Sequence, residues 1–164
     1  MGSIGSDLLR LLTPLNCKIY YNDIRKVIMK NPLHIQCSLN YLLKKSDIIS
    51  LHVPLTKKTK NLINYKNINL CKRDALIINC ARGGIINENA IQHFLIKNQA
   101  ASAAFDVFDV EPPKDNKLLE LNNFLCSPHI GGSTEESIMN MGLSAIRGLD
   151  HFTNLKKLYE CGYE

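Results

Sequence analysis

No apolar stretch in this chain approaches the ~20 residues that a membrane-crossing helix needs; the longest, such as Ala75 to Ala81, are strand-sized. A bilayer-spanning segment is therefore excluded on sequence grounds. Nothing at the start combines a basic region, a long apolar region and a small-residue cleavage site, so no secretory leader is read and a cytoplasmic or organelle-matrix protein is expected. The six cysteines, Cys17, Cys37, Cys71, Cys80, Cys126 and Cys161, form no CxxC and no Cys/His pair at zinc spacing. A metal site is not expected, and the thiols are expected to be reduced, several of them serving as small hydrophobes in apolar runs. Internal repeats, low-complexity tracts and linkers are also missing; the one proline cluster is Glu111-Pro112-Pro113.

What remains is the composition of a folded domain. The chain has 164 residues, 45% of them apolar and 21% charged. A chain of this size buries about two thirds of its extended surface, enough for a core without staples. The 20 Lys and Arg are interleaved with 15 acids for a net charge of +5, and the densest basic stretch, Lys57 to Lys60, has no aromatic interleaving. That pattern describes a solvated surface, so no nucleic-acid partner is expected.

Short apolar segments recur, separated by stretches of helical character. Strands are read at Cys17 to Tyr21, Asp47 to Val53, Ala75 to Cys80, Ala101 to Val107 and Phe124 to Ser127; helices at Ser6 to Leu15, Ser38 to Lys45, Lys66 to Leu70, Glu88 to Asn98 and Glu135 to Asn154. The strands read as continuous apolar runs, which predicts cover on both faces. Alternation of this kind means an α/β fold with a parallel sheet wrapped by helices. Ligands then lie outside the carboxyl ends of the strands. The residues there are Asp23, His52 to Pro54, Ala81 to Gly84, Asp106, Glu111 and Pro128 to Gly132. Titratable groups, glycines and prolines gather along that one edge.

Two features of this edge carry chemistry. Gly2 and Gly5 match the second and third glycines of a GxGxxG turn, where a bare backbone lets a pyrophosphate approach a helix start. Asp23 follows eighteen residues after Gly5, where a carboxylate accepts hydrogen bonds from ribose hydroxyls. An ordinary helix-capping Gly/Ser turn, or a Met-Gly-x-x-x-Ser myristoylation signal on a signalling module, are the alternatives. The second feature is the set Arg82, Glu111 and His129. Singly they read as a surface arginine, a loop carboxylate and a core histidine. Jointly they make sense as a carboxylate fork, an acid that stabilises imidazolium, and a proton carrier.

The strings His52-Val53-Pro54-Leu55-Thr56, Asn79-Cys80-Ala81-Arg82-Gly83-Gly84, Phe105-Asp106-Val107-Phe108 with Glu111-Pro112-Pro113, and Ser127-Pro128-His129-Ile130-Gly131-Gly132-Ser133-Thr134 resemble the nucleotide-binding domain of D-isomer-specific 2-hydroxyacid dehydrogenases, from Gly2 to about Gly148. The resemblance implies a Rossmann-type doubly wound parallel sheet lacking its first strand, with NAD as cofactor and a small 2-hydroxy acid as substrate. It assigns Arg82, Glu111 and His129 as catalytic. It puts the pyrophosphate at Ser3 and Ile4 and the ribose at Asp23, with Val53, Cys80, Ala81, Arg82, Asp106, His129, Gly131 and Gly132 along the rest of the cofactor. Residues 1–150 are expected to be an NAD-binding domain incomplete at its N-terminus, and 151–164 the start of a return segment toward a missing substrate domain. The 164 residues alone are not expected to catalyse, and the full-length protein is expected to be a homodimer or tetramer. Within the family, the motifs are most similar to the branch that oxidises 3-phosphoglycerate to 3-phosphohydroxypyruvate for serine biosynthesis. The fold also serves NAD-responsive corepressors, a non-enzymatic alternative. Asn87 departs from the pattern, standing where an aspartate is common.

Overall fold

The computed structural model describes residues 1–27 and 29–150. They form two units, one from Met1 to His129 and one beginning at Ile130. In the first unit, α1 (Ser3–Leu12) leads through a 3₁₀ turn (Thr13–Leu15) to β1 (Ile19–Tyr21), and Asn16 takes the left-handed conformation (φ 51°) that reverses the chain between them. There follow β2 (His34–Gln36), α2 (Leu39–Lys45), β3 (Ile48–Leu51), a 3₁₀ turn (Ile68–Leu70), β4 (Leu76–Asn79), α3 (Glu88–Lys97), β5 (Ser102–Phe105), a 3₁₀ turn (Lys117–Glu120) and β6 (Phe124–Cys126).

Every strand pair is parallel. The strands do not form one sheet: β1 pairs only with β2, and β3, β4, β5 and β6 form a second sheet in that order. No strand precedes α1 among the described residues. Among the described residues, one backbone edge of β1 and one of β3 have no strand partner.

The helices start where side chains satisfy the free N–H groups of the first turn. Ser38 Oγ accepts from the Tyr41 N–H at 3.4 Å, and Asn87 Oδ1 from the Ala90 N–H at 2.9 Å. The asparagine in place of aspartate at 87 therefore keeps a working cap. Ile49, Leu51, Ile77, Ala103 and Phe105 from the larger sheet pack with Leu43 of α2, Ile68, and Ala90, Ile91, Phe94 and Leu95 of α3 in one core. Each large buried aliphatic or aromatic side chain there contributes about 1.5–3 kcal/mol.

Several expectations are corrected. Burial alternates along β3, with Ile48 63% exposed beside Ile49 at 2%, and alternates again in β4 and β5. Continuous apolar composition predicts cover on both faces, but the pleat sends successive side chains to opposite faces and only one face meets the core of α2 and α3. The helix read at Lys66 to Leu70 is a single 3₁₀ turn, and the first helix begins at Ser3 instead of Ser6. β2 carries no sequence signal, because His34-Ile35-Gln36 has one apolar residue and no apolar run.

The second unit carries α4 (Glu135–Asp150), whose first turn holds Glu135 and Glu136, favourable at a helix start. Thr134 Oγ1 accepts from the Ser137 N–H at 3.1 Å and so caps it. The remainder of the last helix as read from sequence, residues 151–154, the return segment 151–164 and Cys161 lie outside the described residues.

Candidate active site

The carboxyl ends of β4, β5 and β6 deliver the loops of the first unit that matter. Asn79 closes β4 and is 1% exposed, a buried polar side chain that must find partners. Its Oδ1 accepts from the Ala81 N–H at 3.1 Å and its Nδ2 donates to the Arg82 carbonyl at 3.0 Å. One amide thus folds the strand end into the turn that presents Arg82. Gly83 comes next and is obligatory: a Cβ there would lie 1.9 Å from the Phe108 carbonyl oxygen. Gly84, at φ +75°, occupies the left-handed region that glycine enters without strain. The Arg82 turn can therefore lie directly on the chain that leaves β5.

That chain holds Glu111. One of its carboxylate oxygens accepts from the Phe108 N–H at 2.9 Å, and the other meets His129 Nδ1 at 2.7 Å. His129, just beyond β6, is itself in the left-handed region at φ 54°, a conformation uncommon outside glycine and a hallmark of constrained functional positions. The hydrogen bond from His129, followed by that from the Phe108 N–H, holds the Glu111 carboxyl below the usual carboxylate range. Glu111 is therefore an acceptor-only carboxylate near neutral pH, so His129 Nδ1 is the donor. Its Nε2 then carries the lone pair in the neutral ring and is the nitrogen available to take a proton.

Leu55, Arg82, Gly83, Phe108, Asp109, Glu111 and His129 line one cleft of about 340 Å³. The three residues read from sequence as catalytic are brought together on it. Leu55 and Phe108 supply apolar walls that the sequence reading did not single out. Arg82 donates from Nη1 to the Ala81 carbonyl at 2.7 Å, which ties one terminal nitrogen of an otherwise exposed guanidinium to its own turn.

The other expected residues of the first unit lie at the start of α1 and just beyond the carboxyl ends of β1, β3, β4 and β5. Ser3 and Ile4 are the first residues of α1, whose N-cap Gly2 makes no side-chain cap and has open space where a Cβ would stand. The N–H groups of that first turn have no helical acceptor. Gly5 lies against Met1 and His52, at distances where a Cβ would make ordinary contacts of 3.7 and 3.8 Å, so close packing alone does not demand glycine there. Asp23 accepts from the Arg25 N–H at 2.8 Å through one oxygen and pairs with the Met1 ammonium through the other. Val53 packs against the core edge. Asp106, 4% exposed, accepts from Ser127 Oγ at 2.6 Å, while its N–H donates to the Asn79 carbonyl at 3.0 Å. Ala81 is half-buried, and partial burial with the nearby Asp106 carboxylate pushes the Cys80 thiol up. Gly131 and Gly132 belong to the start of the second unit.

A helix start with free N–H groups, a bare Gly2 and a carboxylate just beyond β1 suit a dinucleotide. Among the described residues, no three His, Cys, Asp or Glu side chains come together to hold a metal ion, and no helix is long and apolar enough to cross a membrane.

Residues 1–131 match the family model for the NAD-binding domain of D-isomer-specific 2-hydroxyacid dehydrogenases. The chain is 52% identical over 140 residues to D-3-phosphoglycerate dehydrogenase of Methanocaldococcus jannaschii, covering 84% of this chain and 27% of that protein. It is 38% identical over 148 residues to hydroxypyruvate reductase of Thermotoga maritima, covering 88% and 48%. The NAD-complexed D-isomer-specific 2-hydroxyacid dehydrogenase of Lactobacillus delbrueckii ssp. bulgaricus superposes with a TM-score of 0.80 at 30% identity, over 90% of this chain and 49% of that one. The chain thus spans between about a quarter and a half of the lengths of these relatives. With this fold, this cleft and these relatives, the chain belongs to the D-isomer-specific 2-hydroxyacid dehydrogenases, as an NAD-binding domain of that family.

Proposed function

We propose that this domain binds NAD along the carboxyl ends of its strands and serves the reversible oxidation of a D-2-hydroxy acid, with 3-phosphoglycerate, converted to 3-phosphohydroxypyruvate, as the substrate. The observation that carries the reading is the 2.7 Å contact between His129 and Glu111 in the same cleft as Arg82. NAD, when bound, supplies the hydride acceptor. The residues of the chain do the rest. The free N–H groups of Ser3 and Ile4 receive the pyrophosphate, and Asp23 accepts the ribose hydroxyls. Val53, Cys80, Ala81 and Asp106 border the remaining cofactor. Arg82 pairs with the substrate carboxylate, fixing C2 beside the cofactor edge. His129 takes the hydroxyl proton at Nε2 as C2 loses hydride, and Glu111 stabilises the resulting imidazolium through Nδ1. In the reverse direction the same imidazolium returns the proton.

The relatives differ in what they act on, and the 52% identity to a phosphoglycerate dehydrogenase supports the phosphorylated acid over glycerate. The test is a titration of the isotope-labelled chain by NMR, first with NAD and then with each acid. NAD is expected to shift the amides of Ser3, Ile4 and Asp23. 3-Phosphoglycerate is then expected to shift Arg82 and His129 at lower concentrations than glycerate. Tighter binding of glycerate would overturn the substrate assignment, and NAD shifts confined to residues away from the strand ends would overturn the reading as a whole.

A further inference from the structure

We propose that Glu88 is a positioning residue for the Glu111–His129 pair, clamping both flanks of the loop that carries Glu111 to the first turn of α3. This inference rests on the proposed role of that pair, but its test does not require turnover. The loop runs between two buried anchors, Phe108 at 6% and Leu118 at 1% exposure, and most of the residues between them are exposed. It is not packed down on α3. An open cleft of about 350 Å³ separates them, lined by Glu88, Gln92, Val110, Lys114 and Asn116 among others. Glu88 spans the gap. One oxygen of its carboxylate accepts from the Asp109 N–H at 2.7 Å, and the other accepts from Asn116 Nδ2 at 2.8 Å. Asn116 in turn uses its own Oδ1 to accept from the Leu118 N–H at 3.0 Å, which fixes which way its amide points. The two tied residues bracket Glu111.

The chemistry requires a carboxylate. Both partners are donors, so the clamp needs two acceptor oxygens on one side chain. A glutamine offers one acceptor and would set its own NH₂ against either the Asp109 N–H or the Asn116 amide. The competing explanation is that Glu88 only complements the helix start, as an acid in the first turn often does. The two differ in what happens to Glu111. Its carboxyl is held down by hydrogen bonds from His129 and from the Phe108 N–H, and those persist only while the loop stays in place.

The experiment follows the titration of the Glu111 carboxyl by ¹³C NMR in the full chain and in Glu88→Ala, Glu88→Gln and Asn116→Ala. If the clamp positions the loop, the Glu111 midpoint rises toward the ordinary carboxylate range in Glu88→Ala, and rises less in Glu88→Gln and Asn116→Ala, each of which keeps one tie. The direction is diagnostic. Removing a negative charge in the neighbourhood, with the loop unmoved, would instead lower the Glu111 midpoint. A midpoint that is unchanged or lower in folded Glu88→Ala overturns the proposal. Should Glu88→Ala fail to fold, Asn116→Ala decides it by the same criterion. A risen midpoint together with an unaltered pH dependence of 3-phosphoglycerate oxidation, in a chain that joins this domain to a substrate domain, would confirm the clamp while counting against the proton-transfer reading of Glu111, so the two failures are separable.

Discussion

Gly83 and Asn79 show how much of this site depends on backbone arrangement. A methyl group at 83 would overlap the Phe108 carbonyl, at 1.9 Å, so the Arg82 turn and the Glu111 loop must separate to admit it. Gly83→Ala is expected to destabilise the chain by about 1–3 kcal/mol, the range of overpacked substitutions, measured by urea unfolding. Asn79→Leu leaves the Ala81 N–H and the Arg82 carbonyl without their side-chain partners, and is expected to cost about 1–3 kcal/mol for a buried group left unsatisfied. In a chain that joins this domain to a substrate domain, His129→Ala should lower turnover of 3-phosphoglycerate about 10²- to 10⁴-fold, as loss of a positioned acid or base does, in an assay of NADH formation with NAD affinity retained. The Glu111 carboxyl titrates below its ordinary range when folded. Its stabilising contribution is therefore complete above the ordinary carboxylate range and is lost as pH falls through the lower, folded-state value. Acid unfolding of Glu111→Gln should accordingly show a weaker pH dependence in that window than the parent chain.

At the scale of elements, burial sets Cys71 apart from the exposed cysteines. Cys71 follows the 3₁₀ turn Ile68–Leu70 and is 6% exposed; burial pushes its thiol up to about 11. Cys17, Cys80 and Cys126 stand at element ends and are exposed. Iodoacetamide at neutral pH is expected to modify the exposed thiols first and Cys71 only as the chain unfolds, which peptide mass mapping over time would record. Equal rates would show that the core around Cys71 opens readily. The elements also show which parts of the site were legible in the sequence. Arg82, Glu111 and His129 could be read because each follows a strand, and glycine or proline lies close by. Asn79 and Glu88 could not be assigned, since their partners are set by folding: Glu88 meets Asp109 and Asn116, 21 and 28 residues away. A strand-closing asparagine inside an apolar run was the one available signal for Asn79. β2 escaped because three residues with a single isoleucine hold no periodicity.

For the whole molecule, the most consequential feature is the division of the parallel strands into two sheets. Hydrogen bonds alternate sides along a parallel strand. The Leu76 N–H donates to the Asp47 carbonyl at 2.9 Å, so Asp47, Ile49 and Leu51 face β4, while Ile48 and Ser50 direct their backbone groups to the opposite side. In β1 the Ile19 N–H donates to the Leu33 carbonyl at 2.8 Å, which leaves Tyr20 facing away from β2. Deuterium exchange should therefore be patterned by single residues, fast at Tyr20, Ile48 and Ser50 and slow at Ile49 and Ile77. The same unpaired groups are templates for intermolecular strand addition, and beside them Ile48 presents an apolar side chain to solvent. Light scattering of concentrated samples should thus rise with time, and a lysine at position 48, which repels a second copy along that edge, should delay the rise.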